Sequence, residues 1–424
     1  MRARIMRGKI DGALQAPPSK SYTQRAIICA LLAGGETEII NPSKSEDGLS
    51  ALGAARQLGA GVVEQGKSWV ISGGQIETPD DVIDCMGSAT ALRLFTAISA
   101  LAPGATVLTG NSSLRRRPMK ELLSAMNSIG AKCYSTKDNG LPPIVVCGGG
   151  IEGGEARIRG DISSQYISAL LFACAKGRNA TVINLISPLE SRNYVDMSIE
   201  TLARFGGDAH ADFDSGNFQV PGKQRLRPCK FLVEGDYSSA AFMIAAGLLR
   251  GRVEVGNLLP YSRQGDRAVL EIYERMGGNV AVLSDRVQAG RSHFHGIEVD
   301  ARQIPDLVPI LAVVASQAEG RTTIAGVGRL RLKESDRIEA VVGMLSKMGA
   351  DIKAAGDTII VEGRTTLKGA EIDPRGDHRI AMASAVAALV AEGETVIENA
   401  ECVSKSYPEF FNDLMRIGVE VEVL

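Results

Sequence analysis

A chain of 424 residues is long enough for one very large domain or two of ordinary size. Apolar residues at 45% and charged residues at 23% exclude a disordered, collagenous or coiled-coil chain, and 47 glycines imply many tight turns and helix ends. The 47 lysines and arginines nearly cancel 49 acidic residues to a net charge of -2, so nucleic acid and anionic membranes meet no global basic field, and any anion site must be local.

In chain order, the basic start Met1-Arg2-Ala3-Arg4-Ile5 is followed by no apolar stretch, so neither a signal peptide nor a transit peptide is expected. PPSKSYTQR (17–25) opens an apolar helix with Lys20, Ser21 and Arg25 at its entrance, although Ser-capped helices with solvated cations are also common. A second apolar helix begins SATALR (88–93) with Thr90 and Arg93. The uncharged stretch Leu94 to Leu114 is broken by Pro103, Gly104 and Asn111, which makes it a poor membrane span. LRRRPM (114–119) stacks three arginines before Pro118, which suits the first position of the next helix; its plain reading is a solvated basic turn. DISSQY (161–166) places Ser163, Ser164 and Gln165 at a third helix start, where capping needs only one of the three. SRNY (191–194) adds Ser191, Arg192 and Tyr194.

Further along, DLVPILAVVASQAEG begins at Asp306. LRLKESDRIEA (330–340) carries Lys333, Glu334 and Arg337, with Glu334 and Arg337 three apart and so on one helix face, as an ion pair would be. GDHR (376–379) collects Asp377, His378 and Arg379 at the start of a neutral helix. SKSYPEFF (404–411) sets Lys405 before a helix opened by proline. The seven cysteines are scattered without a C-x-x-C and read as reduced, mostly buried thiols. His293 and His295 have no clustered partners and read as part of a surface strand rather than a metal site.

The chain also repeats itself. An amphipathic helix, an apolar-Gly-small turn and an alternating strand recur at Gly59, Gly130, Gly206, Gly277, Gly349 and Gly418, at intervals of 71, 76, 71, 72 and 69 residues. A second phrase keeps the same beat: a small-residue-rich helix led by Ser or Asp and ended by a glycine suited to a C′ position. Each unit therefore holds one helix apolar all round, to be buried, and one with a single apolar stripe, to lie outside. With intervening strands the unit reads β-α-β-α-β-β. Six such units divide three and three, with the joint near 226–235. If the buried helices run parallel, their N-termini converge, and free N–H groups with partial positive charge make that face an anion site.

No P-loop, no dinucleotide fingerprint, no G-x-S-x-G and no H-E-x-x-H occur. The remaining kit of Lys, Arg, Ser, Gln, Asp, Glu and His suits binding phosphates and carboxylates and moving protons, without cofactor or metal.

Together PPSKSYTQR, GDISSQY, LRLKESDR and GDHR resemble, in order and spacing over essentially the whole chain, the 5-enolpyruvylshikimate-3-phosphate synthase family. The resemblance implies a two-domain inside-out α/β barrel of six β-α-β-α-β-β repeats, three per domain, around buried parallel helices. Residues 17–230 would form one domain, 1–16 with 231–424 the other, and the active site would lie in the cleft between them. It implies transfer of the enolpyruvyl group of phosphoenolpyruvate to the 5-hydroxyl of shikimate 3-phosphate, with phosphate released through a tetrahedral intermediate. Lys20, Asp306 and Glu334 would be catalytic. Lys20, Ser21, Arg25, Ser163, Ser164, Gln165, Ser191, Tyr194, Asp306 and Lys333 would hold shikimate 3-phosphate; Lys20, Ala89, Thr90, Arg117, Gln165, Arg337, Arg379 and Lys405 would surround phosphoenolpyruvate. Because these groups fall on both sides of the joint, closure of the two domains is expected to complete the site. A cytoplasmic monomer acting on small molecules, with no nucleic-acid or membrane partner, follows.

One stretch departs from the family pattern. Where the family writes Asn-Ser/Ala-Gly-Thr-x-x-Arg, this chain has Gly87-Ser88-Ala89-Thr90-Ala91-Leu92-Arg93, which puts a methyl group where glycine normally abuts phosphoenolpyruvate and the inhibitor glyphosate. Two rivals stand beside this reading. The sister transferase acting on UDP-N-acetylglucosamine typically carries a loop cysteine where this chain has SSLRRRPM, and lacks the SSQ and KESDR phrases. A non-catalytic anion-binding protein would not be expected to keep both Asp306 and Glu334.

Overall fold

The computed structural model describes residues 1–6 and 8–424. Residues Met1–Pro17 with Glu234–Leu424 form one compact unit, and Pro18–Val233 form the other. Among the described residues each contains three four-stranded sheets.

The 18–233 unit has six helices: α1 (Lys20–Leu32), α2 (Glu46–Gln57), α3 (Ala89–Ser99), α4 (Lys120–Ser128), α5 (Ser164–Cys174) and α6 (Arg192–Arg204). Six more belong to the other unit: α7 (Tyr237–Arg250), α8 (Val269–Arg275), α9 (Val308–Ser316), α10 (Arg337–Lys347), α11 (His378–Ala388) and α12 (Phe410–Arg416). Odd-numbered helices are the buried ones: every residue of α9 and of α11 is buried, and all but Arg250 of α7. Their sequences explain it, since Ala, Ile, Leu, Val and Ser leave no polar stripe for water. The even-numbered helices keep a charged face, as in α10, where Arg337, Ile338, Ala340, Val341, Met344 and Leu345 are buried and Glu339 and Lys347 are exposed.

The glycines of the first repeated phrase each follow the C-cap of an outer helix with φ from +75° at Gly206 to +100° at Gly59, a conformation a side chain would oppose. The second phrase behaves differently. Gly34 follows the C-cap of α1 and Gly251 is the C-cap of α7, but α3, α5, α9 and α11 stop earlier and reach Gly104, Gly177, Gly320 and Gly393 through a further turn.

Within a unit each sheet follows one plan. Strand Ile83–Asp84 leads into α3 and lies parallel to Ala105–Thr109; after α4, Lys132–Ser135 and Ile144–Cys147 complete the sheet antiparallel. The order β-α-β-α-β-β thus holds, but two strands are exchanged. Ile10–Gln15, which precedes α1 in sequence, pairs in parallel with Gly251–Gly256 after α7; Lys230–Leu232, which precedes α7, pairs in parallel with Gly35–Ile40 after α1. Ala3–Ile5 in turn lies between Thr395–Ile397 and Val421–Val423 as a strand of the sixth repeat. Lys230–Leu232 explains why the second crossing falls at 233 rather than 230.

The buried helices of each unit stand side by side and parallel. In the 18–233 unit, side chains at the starts of α1, α3 and α5 hydrogen-bond one another, while Leu32 at the end of α1, Leu101 and Ala102 after α3 and Lys176 after α5 line one depression. In the other unit the starts of α7 and α11 meet through Arg379 and Ser238, and Leu249, Gln317 and Val390 line the depression at the far ends of α7, α9 and α11. No described helix is long and apolar enough to cross a membrane.

Candidate active site

In the 18–233 unit the N-terminal ends of α1, α3 and α5 are stitched together by polar side chains. Ser19, Ser88 and Ser163 are the N-caps, each accepting from a backbone N–H of the first turn. Gln24 Nε2 donates to Ser88 Oγ at 2.9 Å, joining α1 to α3. Arg93 donates through Nη1 to Ser163 Oγ at 3.1 Å and to Gln165 Oε1 at 2.8 Å, and Gln165 Nε2 donates to Thr90 Oγ1 at 2.7 Å, joining α3 to α5. The Arg93 guanidinium lies 5.0 Å from the Tyr166 ring centre. Ser164 and Ala89 are buried first residues of α5 and α3.

Lys20 stands at the start of α1 with Nζ 2.9 Å from Asp47 Oδ2, a buried carboxylate in the first turn of α2. Arg25, one turn on, is 1% exposed. It donates to Ser198 Oγ, to the carbonyls of Ser21 and Tyr194 and to Ser168 Oγ, so it ties α1 to α5 and α6 and fixes two other predicted site residues. Burial lowers its pKa to about 10, partly opposed by Tyr194 and Tyr22, and the group stays cationic. Ser191, at φ +56°, precedes α6 without using its hydroxyl to cap it.

Arg117 is buried at the end of the short turn Leu114–Arg116. Pro118 is not the first helical residue as expected: Met119 is the N-cap of α4, and the Pro118 carbonyl accepts from Tyr166 Oη and from Arg93. Those bonds hold the arginine turn against α3 and α5.

The other unit carries a second array, centred on Arg337, which is 1% exposed at the start of α10. Its guanidinium meets three carboxylates: Asp377 through Nε at 2.9 Å, Asp306 through Nη1 at 2.8 Å and Glu334 through Nη2 at 2.7 Å. Asp377 caps α11 by accepting from the Arg379 backbone N–H at 2.9 Å, so one residue both caps a helix and anchors the cluster. Lys333 Nζ lies 3.2 Å from Asp306 Oδ1, Arg379 Nη2 lies 4.0 Å from Asp306 Oδ2, and Lys405 Nζ lies 3.6 Å from Glu334 Oε1. Lys405 ends the turn Ala400–Lys405, and α12 begins only at Phe410, so Pro408 does not open it.

Burial alone would raise the pKa of Asp306, but the Lys333, Arg337 and Arg379 cations outweigh it and hold the carboxyl well below the usual range. Lys333 moves the other way, lowered chiefly by its own burial. Arg337 is raised: burial opposes its charge, but Asp377, Glu334 and Asp306 overcome that.

Asp306, Lys333, Glu334, Arg337, Arg379 and Lys405 are therefore one ionic cluster. Thr90, Ser163 and Gln165 belong to the Arg93 network, and Ser21 and Tyr194 to the Arg25 network. Sequence reading missed Asp47, whose SEDG context looks like any acidic first turn, and the buried pair Ser238 and Asp266 beside Arg379. His293 lies outside any strand, and His295 makes only an isolated bridge with Glu319. Among the described residues, ligand atoms of Glu334, Asp377 and His378 lie within 4.8 Å of one another. Arg337 already binds both carboxylates, so a metal there would displace a guanidinium rather than enter a prepared site.

Clusters of cations, hydroxyls and carboxylates at helix N-termini suit ligands bearing phosphate and carboxylate. The comparisons agree. Residues 6–414 match the family model for EPSP synthase (3-phosphoshikimate 1-carboxyvinyltransferase). The chain is 42% identical over 421 residues to the 3-phosphoshikimate 1-carboxyvinyltransferase of Methanococcus maripaludis, covering 98% of each chain. It is 44% identical over 430 residues to that of Methanocella arvoryzae, covering 100% of both. The solved EPSP synthase of Acinetobacter baumannii superposes with a TM-score of 0.84 at 26% identity over the full length of both chains. The enolpyruvyl transferase NikO of Streptomyces tendae shares the fold at 18% identity, with a TM-score of 0.81 and coverage of 99% and 98%. With its fold, its helix-start chemistry and these relatives in agreement, the chain belongs to the EPSP synthase family.

Proposed function

We propose that this chain transfers the enolpyruvyl group of phosphoenolpyruvate to the 5-hydroxyl of shikimate 3-phosphate, as its family name describes, with each unit supplying one array of side chains. Ser163, Ser164, Gln165, Ser191 and Tyr194 hold the phosphate and ring of shikimate 3-phosphate, while Ser21, Arg25, Asp306 and Lys333 engage its carboxylate and hydroxyls. Lys20, Ala89, Thr90, Arg117, Gln165, Arg337, Arg379 and Lys405 surround phosphoenolpyruvate. Arginine forks suit carboxylate and phosphate; Lys20 and Lys405 act as point charges.

The observation that carries this reading is the Arg337 cluster, which collects cations for an anionic substrate beside two carboxylates able to handle protons. Asp306, held ionised by its cations, is poised to accept a proton rather than to donate one. In the proposed sequence Asp306 takes the proton of the 5-hydroxyl as that oxygen bonds to C2 of phosphoenolpyruvate, and C3 receives a proton through Glu334. The tetrahedral intermediate then returns the C3 proton to Glu334 and breaks its C2–O bond to phosphate, the departing oxygen taking up the proton that left the 5-hydroxyl while Lys20 stabilises it. The net result is an enol ether and inorganic phosphate, without a cofactor or metal, and the chain works on small molecules as a monomer.

Phosphate release from phosphoenolpyruvate, measured with shikimate 3-phosphate and separately with UDP-N-acetylglucosamine, tests the reading. Release with the first acceptor alone is expected. Release with the second alone would overturn it.

A further inference from the structure

Behind the Arg337 cluster lies a carboxyl that the reaction does not use. Asp266, in the short turn Gly265–Ala268 before α8, is 1% exposed. Its Oδ2 accepts from Ser238 Oγ near the start of α7; its Oδ1 is buried and, among the described residues, has no hydrogen-bond partner. The carbonyl of the same Ser238 accepts from Arg379 Nη1 at 2.9 Å. Arg379 in turn lies 4.0 Å from Asp306. A buried carboxylate with a bare oxygen is costly, whereas a neutral carboxyl in that place costs far less.

We propose that Asp266 is a positioning residue which, as a neutral carboxyl, steadies Ser238 beneath Arg379 and leaves the Arg379 charge undivided for an incoming anion. The proposal rests on the assignment of Arg379 to phosphoenolpyruvate.

The charged groups around Asp266 argue for the neutral form. Burial is the largest influence, and Asp306 and Asp236 also raise its pKa; Ser238 and Arg379 lower it, and the balance stands at about 7. On its own turn Arg267 is exposed, and the charged residues of α8, Glu271, Glu274 and Arg275, face solvent. A proton held near neutrality has a consequence for binding. Below pH 7 Asp266 is neutral and Arg379 meets the anion undivided; above it, a carboxylate forms behind Arg379 and repels the anion. By linkage, KM for phosphoenolpyruvate must rise with pH through this range.

The test is KM for phosphoenolpyruvate at saturating shikimate 3-phosphate, from about pH 6 to about pH 8.5, in wild type, Asp266→Asn and Ser238→Ala. The phosphate of the substrate titrates nearby, but its contribution is common to all three proteins and cancels on comparison. Asp266→Asn is nearly isosteric and permanently neutral, so its KM should rise less with pH than that of wild type, the gap reaching about tenfold per unit at most above the Asp266 pKa. Ser238→Ala removes a bond that favours the charged form, so its rise should begin at higher pH. An infrared carbonyl band of a protonated carboxylic acid, present in wild type near pH 6 and missing in Asp266→Asn, supports the proposal independently of turnover and applies even if activity is lost. Parallel KM profiles in wild type and Asp266→Asn, no upward displacement in Ser238→Ala, or no such band would each overturn it. Arg379→Ala separates the two levels: an unchanged KM for phosphoenolpyruvate would sink the assignment of Arg379 rather than the neutral state of Asp266.

Discussion

Arg337 donates to Asp306 at 2.8 Å, and the same guanidinium reaches Glu334 and Asp377 with its other nitrogens. The two carboxylates proposed to move protons are thus held by one cation. Removing one partner of a buried ionic group leaves the rest uncompensated, at a cost of roughly 3–5 kcal/mol. Arg337→Met is therefore expected to lower unfolding stability by about that amount, read from urea denaturation with an unchanged slope. Arg337→Lys keeps the charge but not the fork, so its loss should be smaller. A Met variant as stable as wild type would mean the cluster contributes nothing to the fold.

For Glu334 the expected effect is on chemistry. Glu334→Gln preserves size and can still accept one hydrogen bond from Arg337, but it cannot relay a proton, so kcat should fall by ~10²–10⁴ with substrate binding largely retained. Rapid-quench measurement of the first turnover separates this step from product release. Turnover at the wild-type rate would assign the proton to another group.

Lys20→Met, by contrast, is expected to impair both binding and turnover, because the ammonium is proposed to meet phosphoenolpyruvate and the departing oxygen. It also strips Asp47 of a partner 2.9 Å away. A double variant with Asp47→Asn should recover the stability lost on this account but not the activity. Activity regained by the double variant would reduce Lys20 to a structural counter-ion.

Much of this arrangement was legible in the sequence because it is local. Glu334 and Arg337 pair three residues apart, although Glu334 precedes the N-cap Asp336 and shares no helix face with Arg337. Ser or Asp caps announce the buried helices except α9, where Asp306 sits in the turn Pro305–Leu307 and Leu307 is the N-cap. The repeated glycine after each outer helix reflects a positive φ that other residues resist. The exchange of Ile10–Gln15 and Lys230–Leu232 was not readable from periodicity, because each strand sits beside one helix in sequence and pairs beyond another in space. Only the family resemblance put the first residues with the C-terminal half. Asp266 was invisible for a similar reason: GDRA looks like an exposed turn until α7 and α11 close over it. Gly34 follows the C-cap of α1 as the pattern implies, but at α3, α5, α9 and α11 the glycine marks the loop after the helix rather than its cap.

Two aspartates should shape the pH dependence of stability in opposite directions. The folded pKa of Asp306 is depressed, so its stabilising contribution is present above the unfolded value of ~3.9 and is lost as pH falls through the folded value. Asp266 is raised to about 7, so its contribution is complete below that unfolded value and is lost as pH rises through the folded one. Relative to Asp266→Asn, wild type should lose stability between about pH 4 and about pH 7 and then level off; relative to Asp306→Asn, it should lose stability on acidification. Urea midpoints across pH read both differences. Curves parallel to wild type would show that these groups titrate alike in the folded and unfolded chains.

Ala89 is the first residue of α3, 6% exposed, directly after the N-cap Ser88. The Ser88 hydroxyl accepts from the Ala91 backbone N–H at 3.2 Å and from Gln24 Nε2 at 2.9 Å, so the helix start is pinned from two sides and cannot readily swing the methyl group away. Glyphosate, which in this family extends beyond the outline of phosphoenolpyruvate toward this position, needs the space more than the shorter substrate does. In a close-packed site even one carbon is felt, and exclusion works through a clash against the longer ligand rather than better contacts to the shorter one. The wild-type enzyme is accordingly expected to be poorly inhibited by glyphosate, and Ala89→Gly to bind it at least ~10-fold more tightly, the scale of a lost clash of about 1.4 kcal/mol. KM for phosphoenolpyruvate should change much less. Inhibition constants for glyphosate against phosphoenolpyruvate in the two proteins measure the difference, and equal constants would mean that the methyl group does not face the ligand.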